Sequence, residues 1–155
     1  MDFLRRCYRD TGISPLLADD CGLGKTVQAL GSLYADYLDA KENNLKGPFE
    51  PSLVVALNIL TRNWIKDNEE LLGGALVTYL WAGRTEDQGE ILSKGIKTLD
   101  HTTPELVKWI GTLNPTSPET LRTVIITSYG TGWQRALSIN GVPARQSKKY
   151  LSALR

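Results

Sequence analysis

The stretch Leu17-Ala18-Asp19-Asp20-Cys21-Gly22-Leu23-Gly24-Lys25-Thr26 closes an apolar segment and opens an amphipathic helix through a glycine-rich turn. Glycines at 22 and 24 let the backbone bend tightly and offer several N–H groups to one anion, and the helix that follows adds the positive end of its dipole. In loops of this kind a lysine at the position of Lys25 reaches the terminal phosphates of a nucleotide, and a hydroxyl at Thr26 ligates Mg²⁺. The strict Walker A pattern has glycine where this chain has Asp19, so the flanks decide. Upstream, Ile13 and Leu16-Leu17-Ala18 predict a short buried strand; downstream, Val27, Leu30, Leu33, Tyr34, Tyr37 and Leu38 recur at helical spacing. An ordinary strand-turn-helix with a solvated lysine is the alternative, but a strand before and a helix after are the setting a phosphate loop requires.

LADDCGLGKT resembles the LADEMGLGKT of the Swi/Snf-type chromatin-remodelling ATPases, motors of the second helicase superfamily, with Asp20 for the usual Glu and Cys21 for the usual Met. Those motors do not use glycine at the position of Asp19. Val27-Gln28-Ala29-Leu30 is similar to the family's continuation. Further on, Pro51-Ser52-Leu53-Val54-Val55-Ala56-Leu57 with Ile59-Leu60 and Asn63-Trp64 resembles the second helicase block, although the family has Cys-Pro where Ala56-Leu57 stand. Ala75-Leu76-Val77-Thr78-Tyr79-Leu80 with Gly83 looks like the next strand and its exit, and Thr123-Val124-Ile125-Ile126-Thr127-Ser128-Tyr129 like a later one.

The resemblance implies a partial RecA-like P-loop NTPase lobe. Its nucleotide-binding residues are Asp19, Asp20, Cys21, Gly22, Leu23, Gly24, Lys25 and Thr26, its ligands ATP or ADP, and Thr26 holds Mg²⁺ together with the nucleotide. Double-stranded DNA or chromatin, and the rest of a motor or other subunits, are the implied partners, and the nucleus is the implied location. Hydrolysis in this family uses an Asp-Glu-Ala-His type of block, which the sequence does not contain. The expectation is therefore one incomplete ATP-binding domain over 1–155, with a poorly defined basic segment at 130–155. It binds nucleotide, provides no catalytic residue and is inactive by itself. An unrelated P-loop kinase and a non-catalytic interaction module are the competing readings. The first needs a basic lid that is not recognisable after residue 83, and the second has no use for an intact Gly22, Gly24, Lys25 and Thr26.

A chain of 155 residues, 41% of them hydrophobic, accommodates one domain with a core. No apolar run approaches the ~18 residues of a membrane span, and the short apolar start after Met1 does not make a signal peptide, so an intracellular protein is expected. A net charge of +1 gives no whole-chain attraction to nucleic acid. Cys7 and Cys21 are expected as free thiols, because a cross-link at Cys21 would distort the loop. His101 has no second ligand at metal-binding spacing.

Strands alternate with helices, which predicts an α/β fold with a parallel sheet and helices on both faces. The helix after the loop fades near Ala40, before Gly47-Pro48. Strands are expected near 52–57, 75–81 and 121–128, with a helix through Trp64, Ile65 and Leu71-Leu72 that stops at Gly73-Gly74. Between Gly83 and Thr120, Ile91, Leu92, Ile96 and Leu99 suggest one helix, and Leu106, Val107, Trp109 and Ile110 another with Pro104 in its first turn. Trp64, Trp81, Trp109 and Trp133 are expected as core or interface anchors.

Overall fold

The strand Thr123–Ser128 is apolar or β-branched at every position but its last and buried at all six, the pattern of a strand covered on both faces. In the computed structural model of the chain it lies inside a four-stranded sheet. The structure describes residues 5–6, 12, 15–81, 96–99 and 102–132. In chain order they form α1 (Lys25–Glu42), β1 (Ser52–Ala56), α2 (Thr61–Leu72), β2 (Val77–Trp81), β3 (Thr98–Leu99), α3 (Thr103–Ile110) and β4 (Thr123–Ser128). Short 3₁₀ turns precede α2 and β4, at Asn58–Leu60 and Pro118–Arg122. The sheet is parallel with order β1-β4-β2-β3, and Leu80 and Trp81 of β2 lie opposite Thr98 and Leu99 of β3. This is the α/β arrangement expected of a partial RecA-like lobe.

The described residues fall into two compact units. The first draws on the described residues up to Ser52 with Arg62–Thr78 and Asn114–Val124, and the second on Leu53–Thr61 with the described residues between Tyr79 and Leu113 and from Ile125 to Gly132. In the first, α1 buries Leu30, Tyr37 and Ala40, three positions that share a face at helical spacing. The helix ends where the Asn43 N–H and side-chain amide both donate to the Asp39 carbonyl, at 3.0 and 3.1 Å, and Asn44 turns left-handed with φ 49°. Arg5 reaches α1 from far along the chain, donating to Asp36 at 2.6 Å and Asp39 at 3.0 Å. The Pro118–Arg122 turn packs on α1. There the buried Tyr37 donates its hydroxyl to Glu119 at 2.7 Å, and Arg122 bonds Glu119 at 3.0 Å and the Ala75 carbonyl at 2.8 Å.

Also in the first unit, α2 stops at Gly73 and Gly74, both left-handed with φ 59° and 69°. A side chain there would be strained. The Gly74 N–H returns to the Asn68 carbonyl at 2.9 Å, which closes the helix end.

In the second unit Trp81, Leu99, Leu106 and Ile125 form a core, with Tyr79, Trp109 and Ile110 packed against it. Tyr79 and Trp109 meet edge to face, centroids 5.0 Å apart. The start of α3 carries a capping box in which the Thr102 N–H donates to Glu105 at 2.7 Å, and Pro104 occupies the first turn.

Two expectations are corrected. Among the described residues no strand precedes the glycine loop, for residues 15–20 have no regular structure and Leu16 is 85% exposed. Pro15 offers no ladder donor, and the apolar run ends after three residues at two aspartates, too little to hold a strand in the sheet. Leu99 belongs to β3 rather than to a helix. The Leu80 N–H donates to the Lys97 carbonyl at 2.8 Å, so pairing with β2 overrides the helical spacing. Among the tryptophans, Trp81 is buried, Trp64 and Trp109 are half-buried, and Trp133 lies outside the described residues. So do Cys7, Ile13, Gly83, Ile91, Leu92 and His101, and all of 130–155 beyond residue 132.

Candidate functional site

The loop from Asp19 to Gly24 is exposed throughout, and α1 starts directly behind it. Gly22 and Gly24 take left-handed φ values of 88° and 71°. A β-carbon at either would meet nothing within 4 Å, so the need for glycine there is a matter of backbone conformation alone. Gly24 is the N-cap of α1 and gives no side-chain cap. The first intrahelical bond runs from the Gln28 N–H to the Gly24 carbonyl at 2.9 Å. The N–H groups of Lys25, Thr26 and Val27 therefore have no helical acceptor. No acidic residue stands in the first turn, so no side chain of that turn itself offsets the positive end of the helix dipole.

Lys25 curls back over the loop. Its ammonium donates to the carbonyl oxygens of Asp19 and Asp20, both at 2.7 Å. The Leu23 N–H closes a turn onto the Asp20 carbonyl at 3.4 Å. Gln28, one turn along the helix, donates from its side-chain amide to the Leu23 carbonyl at 3.0 Å and to the Asp19 carboxylate at 3.4 Å. Cys21 is an exposed free thiol in the loop, and Thr26 is half-buried on the first turn of α1.

All eight residues singled out from the sequence, Asp19 to Thr26, thus lie in one exposed turn and the helix start behind it. The structure also brings in Gln28, to which the sequence reading gave no role. Its spacing of three residues from Lys25, on the same helix face, is the clue that was available. The donor set suits an anion, with backbone N–H groups that have no helical acceptor, a helix dipole and the Lys25 ammonium. Among the described residues no group of three or more His, Cys, Asp or Glu could hold a metal ion. No helix among the described residues is long and apolar enough to cross a membrane.

Fold and loop together define an α/β protein with a glycine turn at a helix N-terminus. A model of the SNF2-related domain matches residues 1–150, and the chain belongs to that family. It is similar to the chromatin-remodeling ATPase INO80 of Arabidopsis thaliana, 36% identical over 86 residues that make up 56% of this chain and 5% of that protein. The chromodomain-helicase-DNA-binding protein 3 homolog of Caenorhabditis elegans is 41% identical over 69 residues, 44% of this chain and 4% of the relative. INO80 of Saccharomyces cerevisiae is 34% identical over 86 residues, again 56% of this chain and 5% of the relative. The matched region is thus about one twentieth of these relatives' length. No solved structure matches the chain.

Proposed function

We propose that the chain binds ATP or ADP with Mg²⁺ through Asp19 to Thr26, as the nucleotide-binding part of a DNA-dependent chromatin-remodelling motor. The observation that carries this reading is the convergence of the Lys25 ammonium, two left-handed glycines and the open N-terminus of α1 on one exposed turn. The backbone N–H groups of the turn and of Lys25 and Thr26 hold phosphate oxygens, and Lys25 exchanges its carbonyl partners for the terminal phosphates. Thr26 contributes its hydroxyl to Mg²⁺, which when bound neutralises charge between the phosphates. Asp19, Asp20, Cys21 and Leu23 shape the turn. The remodelling ATPases it resembles support double-stranded DNA or chromatin as the polymer partner and the nucleus as the place of work.

The test is calorimetric titration of the 155-residue chain with Mg²⁺–ATP beside Lys25→Ala. A charge-assisted hydrogen bond is worth about 1.5–3 kcal/mol, so the variant should bind about tenfold more weakly or worse. Equal affinities would remove the site from this loop.

A further inference from the structure

Two side chains of the first turn of α1 hold the Asp19–Gly24 loop, and they differ in what a phosphate does to them. Lys25 spans the carbonyls of Asp19 and Asp20, and Gln28 spans the Leu23 carbonyl and the Asp19 carboxylate. An arriving polyphosphate attracts the ammonium, and a lysine drawn to it releases both carbonyls at once. The uncharged amide of Gln28 has no such attraction and stays on Leu23. That carbonyl lies between Gly22 and Gly24, at φ 88° and 71°. Glycines reach these values without penalty, but they reach many others as readily. The turn therefore needs an external anchor to keep its shape while the lysine is engaged elsewhere.

The anchor also sets a direction. A trans peptide points its C=O and N–H to opposite sides. Fixing the Leu23 carbonyl on Gln28 thereby turns the Gly24 N–H away from the Gln28 amide and stops the Leu23–Gly24 peptide from flipping. A peptide free to flip would present a carbonyl where an anion needs a donor, and ordering it on binding would weaken affinity.

We propose that Gln28 is a positioning residue of this loop, holding the Leu23–Gly24 peptide in its donor-presenting orientation when Lys25 leaves Asp19 and Asp20 for a nucleotide phosphate. The inference rests on the proposed nucleotide-binding function. Gln28→Leu keeps the bulk of the side chain and removes the donor. Gln28→Glu keeps the shape but at neutral pH has no proton to give Leu23 and repels the Asp19 carboxylate.

The experiment compares the 155-residue wild type, Gln28→Leu, Gln28→Glu and Lys25→Ala by titration with Mg²⁺–ATP, together with the ¹⁵N resonance of Gly24 in the nucleotide-free proteins. That resonance responds to hydrogen bonding at the preceding carbonyl. Both Gln28 variants should bind about five- to tenfold more weakly, the loss of one hydrogen bond. They should shift the Gly24 resonance and melt at the wild-type temperature. Wild-type affinity in Gln28→Leu overturns the inference, as does weakened binding with an unmoved Gly24 resonance. Either result leaves the function standing if Lys25→Ala still binds about tenfold more weakly than the wild type, or worse. A wild type that does not bind overturns the proposed function and this role with it.

Discussion

Asn68 has no exposed surface, and both ends of its amide serve the backbone of one other residue. The amide nitrogen donates to the Leu76 carbonyl at 3.0 Å, and the amide oxygen accepts the Leu76 N–H at 3.1 Å. A side chain thus takes the part of a neighbouring strand just ahead of β2, where the chain enters the sheet. Removing it leaves a donor and an acceptor of Leu76, itself 2% exposed, without partners. Burying an unsatisfied polar group costs about 1–3 kcal/mol. Asn68→Ala should therefore lower stability by about 2–4 kcal/mol, read as a lower urea midpoint with an unchanged slope. A midpoint within error of wild type would mean that water or a shifted backbone satisfies Leu76.

The contact of α1 with the Pro118–Arg122 turn is polar at its centre. Glu119 accepts from Tyr37 and from Arg122, and Lys41 donates to the Tyr37 hydroxyl at 3.0 Å. The hydrogen bond from Tyr37, followed by that from Arg122, holds the Glu119 carboxyl below the usual glutamate range. A carboxyl depressed in the folded state stabilises fully above its unfolded value, about 4.3, and that stabilisation is lost as pH falls through the lower folded value. Glu119→Gln should slightly lower the melting temperature at pH 7 and flatten its decline below about pH 4.5. Glu119 is half exposed, so screening keeps the difference under about 1 kcal/mol. Parallel pH curves for the two proteins would show that the carboxylate is not linked to folding. Such links are hard to read from sequence. The apolar periodicity of α1 and α2 and the unbroken run in β4 announced those elements, and the glycines at 73 and 74 announced a helix end. The sequence reading gave Glu119, Asn68 and Gln28 no role, because the partners that define them, Tyr37, Leu76 and Leu23, are fixed by the fold rather than by any apolar period. The glycine turn and the helix behind it were legible because their signals are local, whereas the strand expected before them is not formed over 15–20, where Pro15 and an apolar run of three residues give the sheet too little to pair.

Among the described strands β1 lies at one end of the sheet order and shows an apolar side to solvent, with Leu53 57% and Val55 39% exposed and Leu57, just past its end, 58% exposed. An exposed edge with alternating apolar side chains is a template for pairing between chains. The 155-residue chain should associate as its concentration rises, seen by light scattering on size exclusion. Val55→Lys, which places a charge on that side, should keep it monomeric with the same circular dichroism. A wild type that stays monomeric across the range would show that this edge does not pair. At the other extreme of burial stands β4. Among the described strands it comes last in the chain, yet it is the one that lies between β1 and β2, which do not touch each other in the sheet. During synthesis, β1 and β2 leave the ribosome before the strand that joins them exists. Until residue 128 has emerged they cannot share a sheet, and the interval is one in which chaperones, or another nascent copy, compete for the same edges.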